Sequence, residues 1–193
     1  MPTSNFSLAN DIAAASGIGS SNAAINLVTT NLQANTVGGE IFLHNVPSGN
    51  VTLAGMVTQD ASNLTYKQDG YALDVTAALI SHGGTIIIDP PTDVTLNSAI
   101  STSGNGGVNI QTTQSLVMAP TASVSTGCGA VGIQAVGSIT LAKVNAGNGA
   151  VAISSASGNI GSALPAGVNN VTAGNVTLNA STGISLAVAA QRL

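Results

Sequence analysis

Residues 86–118 read IIIDPPTDVTLNSAISTSGNGGVNIQTTQSLVM, and the short aliphatic segments in this stretch decide the fold. Ile86-Ile87-Ile88 is followed by Val94-Thr95-Leu96 and then by Ala99-Ile100, and the order starts again at Val108-Asn109-Ile110. Most segments follow an apolar-x-apolar pattern, which is typical of a short β-strand with one buried side. The pattern therefore predicts a unit of about 22 residues that contains three short strands.

The same unit recurs along most of the chain. A first series of strand cores begins at steps of 23, 22, 22, 23, 20 and 25 residues, at Ile41, Leu64, Ile86, Val108, Val131, Val151 and Val176. A second series begins at Val51, Leu73, Val94, Leu116, Ile139, near Ile160 and at Ile184, and a weaker third lies at Met56, Leu79, Ala99, Val124 and Val144. Each core is too short to bury anything alone, so consecutive units must stack their apolar sides into one column.

This arrangement predicts an all-β fold, a right-handed single-stranded parallel β-helix with about 22 residues per coil. Glycine pairs such as Gly83-Gly84 and Gly106-Gly107 precede strands, where glycine permits tight corners. Helical periodicity is poor, and the best candidate, Asp11–Ser16, is short. We assign residues 17–193 to the β-helix, as a window of a longer repeat array, and residues 1–16 to an N-terminal lead-in segment or a preceding coil.

Composition excludes several classes of partner. Only 5% of the 193 residues are charged, 44% are hydrophobic and the net charge is −4. Lys67, Lys143 and Arg192 are too few to neutralise a phosphate backbone or an anionic membrane surface, so we expect no nucleic-acid partner. No apolar run reaches the length of a spanning helix, and we expect no membrane insertion. The first ten residues lack the pattern of a secretion signal, and the single cysteine excludes an internal disulfide.

The run GNVTLNA at 174–180, its relatives GNVTLA at 49–54 and SITLA at 138–142, and two Ile-Gly-Ser units resemble filamentous-haemagglutinin-type repeats. The resemblance implies a rod-like segment of a large bacterial surface or secreted adhesin, and an extracellular or cell-surface location. The Asn-Pro-x-Gly motifs of that family's secretion domain do not occur in this sequence. What the resemblance implies is a structural, non-enzymatic spacer. Its expected partners are adjacent repeats of the same chain, further copies associated end to end, and an unidentified host-surface or glycan receptor.

Parallel β-helices also include enzymes that act on polysaccharides, and in such an enzyme the acidic residues would be the candidate catalytic groups. They are Asp11, Glu40, Asp60, Asp69, Asp74, Asp89 and Asp93. Lyase chemistry on acidic sugars needs a basic residue, and only Lys67 shares two coils with Asp60, Asp69 and Asp74. We predict solvated polar loops and no catalytic residue. The alternative is a β-helical carbohydrate-binding or carbohydrate-active domain that gathers Asp60, Asp69 and Asp74, or Asp89 and Asp93, in one groove.

Metal and nucleophile chemistry has little support in the sequence. Asp89 and Asp93 flank a Pro-Pro turn, but calcium takes six to eight oxygens, and a repeat-encoded site would reappear one coil later. His44 and His82 lack further ligands at suitable spacing and are predicted to be isolated surface residues. Cys128 lies between two glycines with no histidine nearby, which predicts a small corner residue or an adventitious thiol. We therefore expect no metal and no cofactor.

Two surfaces offer weaker binding hypotheses. Thr52, Thr95 and Thr140 should point outward from one face, as in ice-binding solenoids, but Asp74 and Val117 interrupt the column. Ordinary β-propensity on an exposed face explains these threonines. A non-catalytic binding module would instead expose Tyr66, Tyr71 or Phe42 on a common surface, as a platform on which sugars stack.

Overall fold

The computed structural model describes residues 10–190, which form one parallel β-solenoid of about eight turns. This part of the chain consists of strands, turns and loops and contains no helix, so it has no helical segment that could cross a membrane. The predicted all-β fold, the parallel stacking and the spacing of about 22 residues are confirmed. The right-handed sense of the coil and the boundary at residue 17 stay predictions, and residues 1–9 and 191–193 lie outside the described part.

Each turn is built from three faces, which the chain visits in the order face 2, face 3, face 1. Face 1 contains β2 (Ile25–Leu27), the end of β3 (Asn31–Asn45), β5 (Leu64–Gln68), β8 (Ile86–Asp89), β11 (Val108–Thr112), β14 (Val131–Ala135), β17 (Ala150–Ser155) and β20 (Asn175–Ala180). Face 2 contains the starts of β3 and β4 (Val51–Thr58), then β6 (Leu73–Val75), β9 (Val94–Leu96), β12 (Leu116–Met118), β15 (Ile139–Leu141), β18 (Asn159–Ser162) and β21 (Gly183–Ser185). Face 3 contains β1 (Asn10–Ile18), the middle of β3, the end of β4, β7 (Leu79–Ser81), β10 (Ala99–Thr102), β13 (Ser123–Ser125), β16 (Lys143–Asn145), β19 (Val171–Ala173) and β22 (Val188–Ala190).

Every strand from β1 to β19 pairs in parallel with a strand one turn further along the chain. On face 1, Ile86 lies beside Val108, and Val108 lies beside Val131. This register places like residues over one another, so inward-facing aliphatic side chains form continuous columns that are fully buried. The predicted outward column on face 2 is confirmed, since Thr52, Asp74, Thr95, Val117 and Thr140 follow one another in register.

The corners stack as closely as the strands, which explains the demand for small residues. A Cβ atom built on Gly129 would lie 1.9 Å from the carbonyl oxygen of Gly106, one turn earlier. Polar corner residues also bridge turns: the side-chain oxygens of Asn63 and Asp93 each accept a hydrogen bond of 2.9 Å from a backbone N–H one turn on. Such bonds satisfy donors that the short strands leave unpaired.

The N-terminal residues 10–18, for which the sequence leaves a lead-in segment or a preceding coil open, form the strand β1. The weak helix candidate Asp11–Ser16 lies within β1, which pairs with residues 32–38 of β3. Alanine by itself favours a helix, but here the open edge of β3 supplies hydrogen-bond partners that decide in favour of the strand. The third series of strands also continues further than predicted, through β19 and β22.

Candidate functional site

A groove of about 490 Å³ runs along the corner that follows face 1. Its floor is the last outward position of successive face-1 strands, occupied by His44, Lys67, Asp89, Gln111, Gln134 and Ser154. The corner loops form the wall, with Pro90, Pro91 and Val136 among its apolar residues. The groove thus follows the solenoid axis from β3 to β17.

The N-terminal half of the groove is charged. The Nε2 atom of His44 lies 3.1 Å from Oδ1 of Asp69, and its Nδ1 atom lies 3.2 Å from Oδ1 of Asn26. The Nζ atom of Lys67 lies 6.0 Å from the centroid of the Phe42 ring, at the limit of a cation–π contact. The prediction that His44 is isolated is wrong, because stacking places Asp69 of the following turn against it.

The C-terminal half of the groove is neutral, with Gln111, Gln134 and Ser154 on the floor. Among residues 10–190, the side chains of Asp89, Gln111 and Gln134 make no intramolecular hydrogen bond. Polar side chains at several corners differ in this respect, since they hydrogen-bond the backbone of the neighbouring turn. The groove therefore presents amide and carboxylate groups that only solvent or a ligand can bind.

The structure does not gather the acidic residues in one place. Asp69 and Asp89 line the groove, whereas Asp74 points outward from face 2, where the Asn97 side chain donates a hydrogen bond of 2.7 Å to it. Asp93 binds the backbone N–H of Ser115. This dispersal argues against the carbohydrate-active form of the alternative, which requires the carboxylates to act together.

Asp60 lies at the corner between faces 3 and 1, away from the groove. Its carboxylate accepts hydrogen bonds from the backbone N–H groups of Gly39, at 3.0 Å, and Ser62, at 3.2 Å. The bond from Gly39, followed by those from Ser62, holds the pKa of the Asp60 carboxyl below its ordinary value. Asp60 therefore stabilises this corner of the solenoid through its hydrogen bonds to the backbone.

The remaining polar candidates lie apart from one another. His82 is exposed, with its Nδ1 atom 2.8 Å from the carbonyl oxygen of Thr58, so it too has a partner and is not isolated. Cys128 carries an exposed thiol at the corner between β13 and β14. Within residues 10–190, no group of three or more His, Cys, Asp or Glu side chains is placed to hold a metal ion.

Tyr66 is not available for the sugar stacking that a non-catalytic binding module would require. Tyr66 is 0% exposed, and its hydroxyl donates to Oε1 of Gln68 at 2.8 Å and accepts from Nδ2 of Asn45 at 3.1 Å. Burial raises the pKa of Tyr66 to about 12. The alternation that predicted the strand already places Tyr66 on the same side as Leu64. Tyr71 is exposed at a corner and Phe42 is half-buried on face 1.

The last described turn is open on one side. The outer edges of β20, β21 and β22 have no strand partner among residues 10–190. Val176, Leu178 and Leu186 are only partly buried there, and Ile184 and Val188 are exposed. This end therefore presents apolar side chains beside rows of free backbone hydrogen-bonding groups.

Comparison with known proteins found no matching protein-family model, no matching curated protein and no matching solved structure. The repeated register and the three-faced turn define the chain as a parallel β-solenoid repeat protein.

Proposed function

We propose that this chain is a structural, rod-forming segment of a bacterial extracellular or cell-surface fibrous adhesin, in which it acts as a stiff spacer. The observation that carries the proposal is the open end. Its three strand edges and its apolar side chains repeat the pattern by which every interior turn binds the next. A further solenoid turn, from more repeats or from a second copy, fits this surface without any new type of contact.

Stiffness follows from the way the turns are joined. Neighbouring turns are connected by parallel hydrogen bonds on all three faces and by one continuous apolar core. With strands about 4.8 Å apart, about eight turns make a rod on the order of 35 Å long, and each added copy lengthens it by the same amount. The adhesin setting rests on the resemblance of the GNVTLNA-type runs to filamentous-haemagglutinin repeats.

Electron microscopy of the purified chain at increasing concentration tests the rod function. We expect rods that lengthen with concentration, and far-ultraviolet circular dichroism typical of β-structure. Ile184→Lys should shorten the rods, because it places a charge on the open apolar end, whereas Thr95→Lys on an outward side position should not. Particles that stay about 35 Å long at every concentration would contradict self-extension.

A second function, carbohydrate binding, is favoured by a separate observation. The groove offers a line of amide, hydroxyl and carboxylate groups, several of which have no partner within residues 10–190. An elongated ligand rich in hydroxyl groups would satisfy them. Binding of oligosaccharides to the purified chain, measured by titration calorimetry, tests this second function.

A further inference from the structure

The neutral half of the groove carries one polar side chain per turn. Gln111 lies beside Gln134 in the parallel register, and Gln134 lies beside Ser154. Neighbouring turns are about 4.8 Å apart, so these side chains form an evenly spaced row along the solenoid axis. A regular row of this kind suits a polymer whose own repeat has a similar length.

The chemistry of the row is that of a hydrogen-bonding surface without charge. Each glutamine amide supplies two N–H donors and a carbonyl acceptor, and the serine hydroxyl can do both. The amides of Gln111 and Gln134 make no hydrogen bond within the described part of the chain, to each other or to any other group. They can therefore bind a ligand without first breaking a protein contact.

Charge in the rest of the groove selects against anionic ligands. Asp69 and Asp89 supply two carboxylates against one ammonium group, that of Lys67, and His44 is already held by Asp69. The whole chain has a net charge of −4. A polyanion would meet repulsion along the groove and over longer range, whereas an uncharged ligand would not.

The wall of the groove complements the flat sides of sugar rings. Pro91, which is partly buried, and Val136, which is exposed, line the groove on its corner loops and present C–H surface beside the polar row. A pyranose ring has hydroxyl groups around its edge and C–H groups on its faces, so it can contact both surfaces together. In an extended β-1,4-linked chain, each sugar unit advances by a distance similar to one solenoid turn.

From these observations we propose that the groove binds an uncharged, extended β-1,4-linked glycan that lies parallel to the solenoid axis, about one sugar unit per turn. Gln111, Gln134 and Ser154 hydrogen-bond its hydroxyl groups, and the proline-lined wall contacts the ring faces. This proposal rests on the second function, carbohydrate binding, and specifies its ligand class and subsite.

Titration calorimetry with cellohexaose, xylohexaose and mannohexaose tests the proposal, with hexagalacturonate as the anionic counterpart. At least one neutral hexasaccharide should bind, and the double variant Gln111→Ala/Gln134→Ala should weaken it about tenfold or more, as expected for the loss of two or more hydrogen bonds. The matched control is Thr95→Ala/Thr140→Ala, which removes outward polar groups from face 2 and should leave affinity unchanged. Circular dichroism verifies that both variants fold.

The contrary outcomes separate this proposal from the function on which it rests. If only hexagalacturonate binds, and Lys67→Ala abolishes that binding, carbohydrate binding stands and the uncharged ligand class is wrong. If a neutral hexasaccharide binds equally well to the double variant, the assigned subsite is wrong. If none of the four hexasaccharides binds, the ligand proposal and the carbohydrate-binding function are both overturned, while the rod function is judged separately by microscopy.

Discussion

The interior turns and the last described turn share one sequence pattern but differ in burial. Ile139, Ile160 and Ile184 occupy successive positions of a single register column on face 2. Ile139 and Ile160 are 0% exposed, whereas Ile184 is 47% exposed. The residue type and the local strand are the same, so the difference comes from the turn that covers the first two, whereas no turn among residues 10–190 covers the third. Burial in this fold is supplied by the neighbouring turn.

The largest expected effect on stability comes from shortening the buried isoleucine of this column, and the exposed isoleucine serves for comparison. Ile139→Ala should lower the free energy of unfolding by about 2–5 kcal/mol, because it leaves a cavity between two packed turns. Ile184→Ala should cost about 1 kcal/mol or less, because its side chain is already half in water. Urea unfolding followed by circular dichroism, at a concentration low enough to prevent rod growth, measures both. Equal losses under that condition would show that the comparison is wrong.

A second pair of variants tests whether corners are covered as tightly as strands. Gly129→Ala forces a Cβ to within 1.9 Å of the Gly106 carbonyl oxygen, and we expect a loss of about 1–3 kcal/mol or more. At Gly161 the nearest atom, Nδ2 of Asn159, is 3.4 Å away, so Gly161→Ala should change stability by about 0.5 kcal/mol at most. The same unfolding assay decides. If Gly129→Ala proves as mild as Gly161→Ala, the corners do not stack in this register.

The two tyrosines extend the comparison to a buried and an exposed hydroxyl. The pKa of Tyr66 is raised from 10.0 to about 12, so the unfolded chain loses this proton first as pH rises. The contribution of Tyr66 to the free energy of unfolding should be present in full below pH 10. It should fall, by on the order of 2–3 kcal/mol, as the pH rises to about 12. Tyr66→Phe should remove this alkaline dependence and also lower stability at neutral pH, because Asn45 and Gln68 lose their partner.

Tyr71→Phe is the control for the alkaline titration, since Tyr71 is exposed at a corner. Because the Tyr71→Phe variant still contains Tyr66, it should lose as much stability between pH 10 and 12 as the wild type does. Unfolding curves collected across that pH range provide the measurement. An alkaline profile that is the same in wild type and in Tyr66→Phe would show that the buried hydroxyl does not govern it.

The smallest effect is expected at Asp60, whose carboxylate accepts hydrogen bonds in the folded chain. Its lowered pKa means that the unfolded state takes up the proton first as pH falls, so the stability it contributes is lost on acidification. Asp60→Asn should slightly destabilise the protein at neutral pH and flatten the acid side of the stability profile. Asp11→Asn, at an exposed position of β1, is the control and should leave the profile unchanged. The midpoints of acid unfolding compare the three proteins.

Much of the fold could be predicted because the sequence pattern of each strand lies within a few consecutive residues. The apolar-x-apolar cores at Ile86, Val94 and Val108 lie in the strands that the sequence predicts, and their spacing predicts the stacking. At β1 the sequence left a lead-in segment or a preceding coil open, and pairing with the edge of β3 makes Asn10–Ile18 a strand. At Tyr66, the exposure that a binding module would require does not occur, because the alternation of the strand places the ring inside.

The candidate site was predicted less well than the fold. Of the acidic residues that the carbohydrate-active alternative gathers in one groove, Asp69 and Asp89 line the groove together with Lys67, whereas Asp60, Asp74 and Asp93 lie elsewhere. Gln111, Gln134 and Ser154 were missed altogether, because a single glutamine in one strand carries no signal. Comparing the last outward position of every face-1 strand in register would have found them.

The sequence by itself determined the repeat and the three strands per turn, because the alternation that produces them acts within one unit of about 22 residues. Only the tertiary structure decided the contact of His44 with Asp69, the buried partners of Tyr66, the polar row in the groove and the exposure of Ile184. Each of these depends on which residues of neighbouring turns come into register. That register is set jointly by corner lengths and core packing over many turns, and no single unit contains the information.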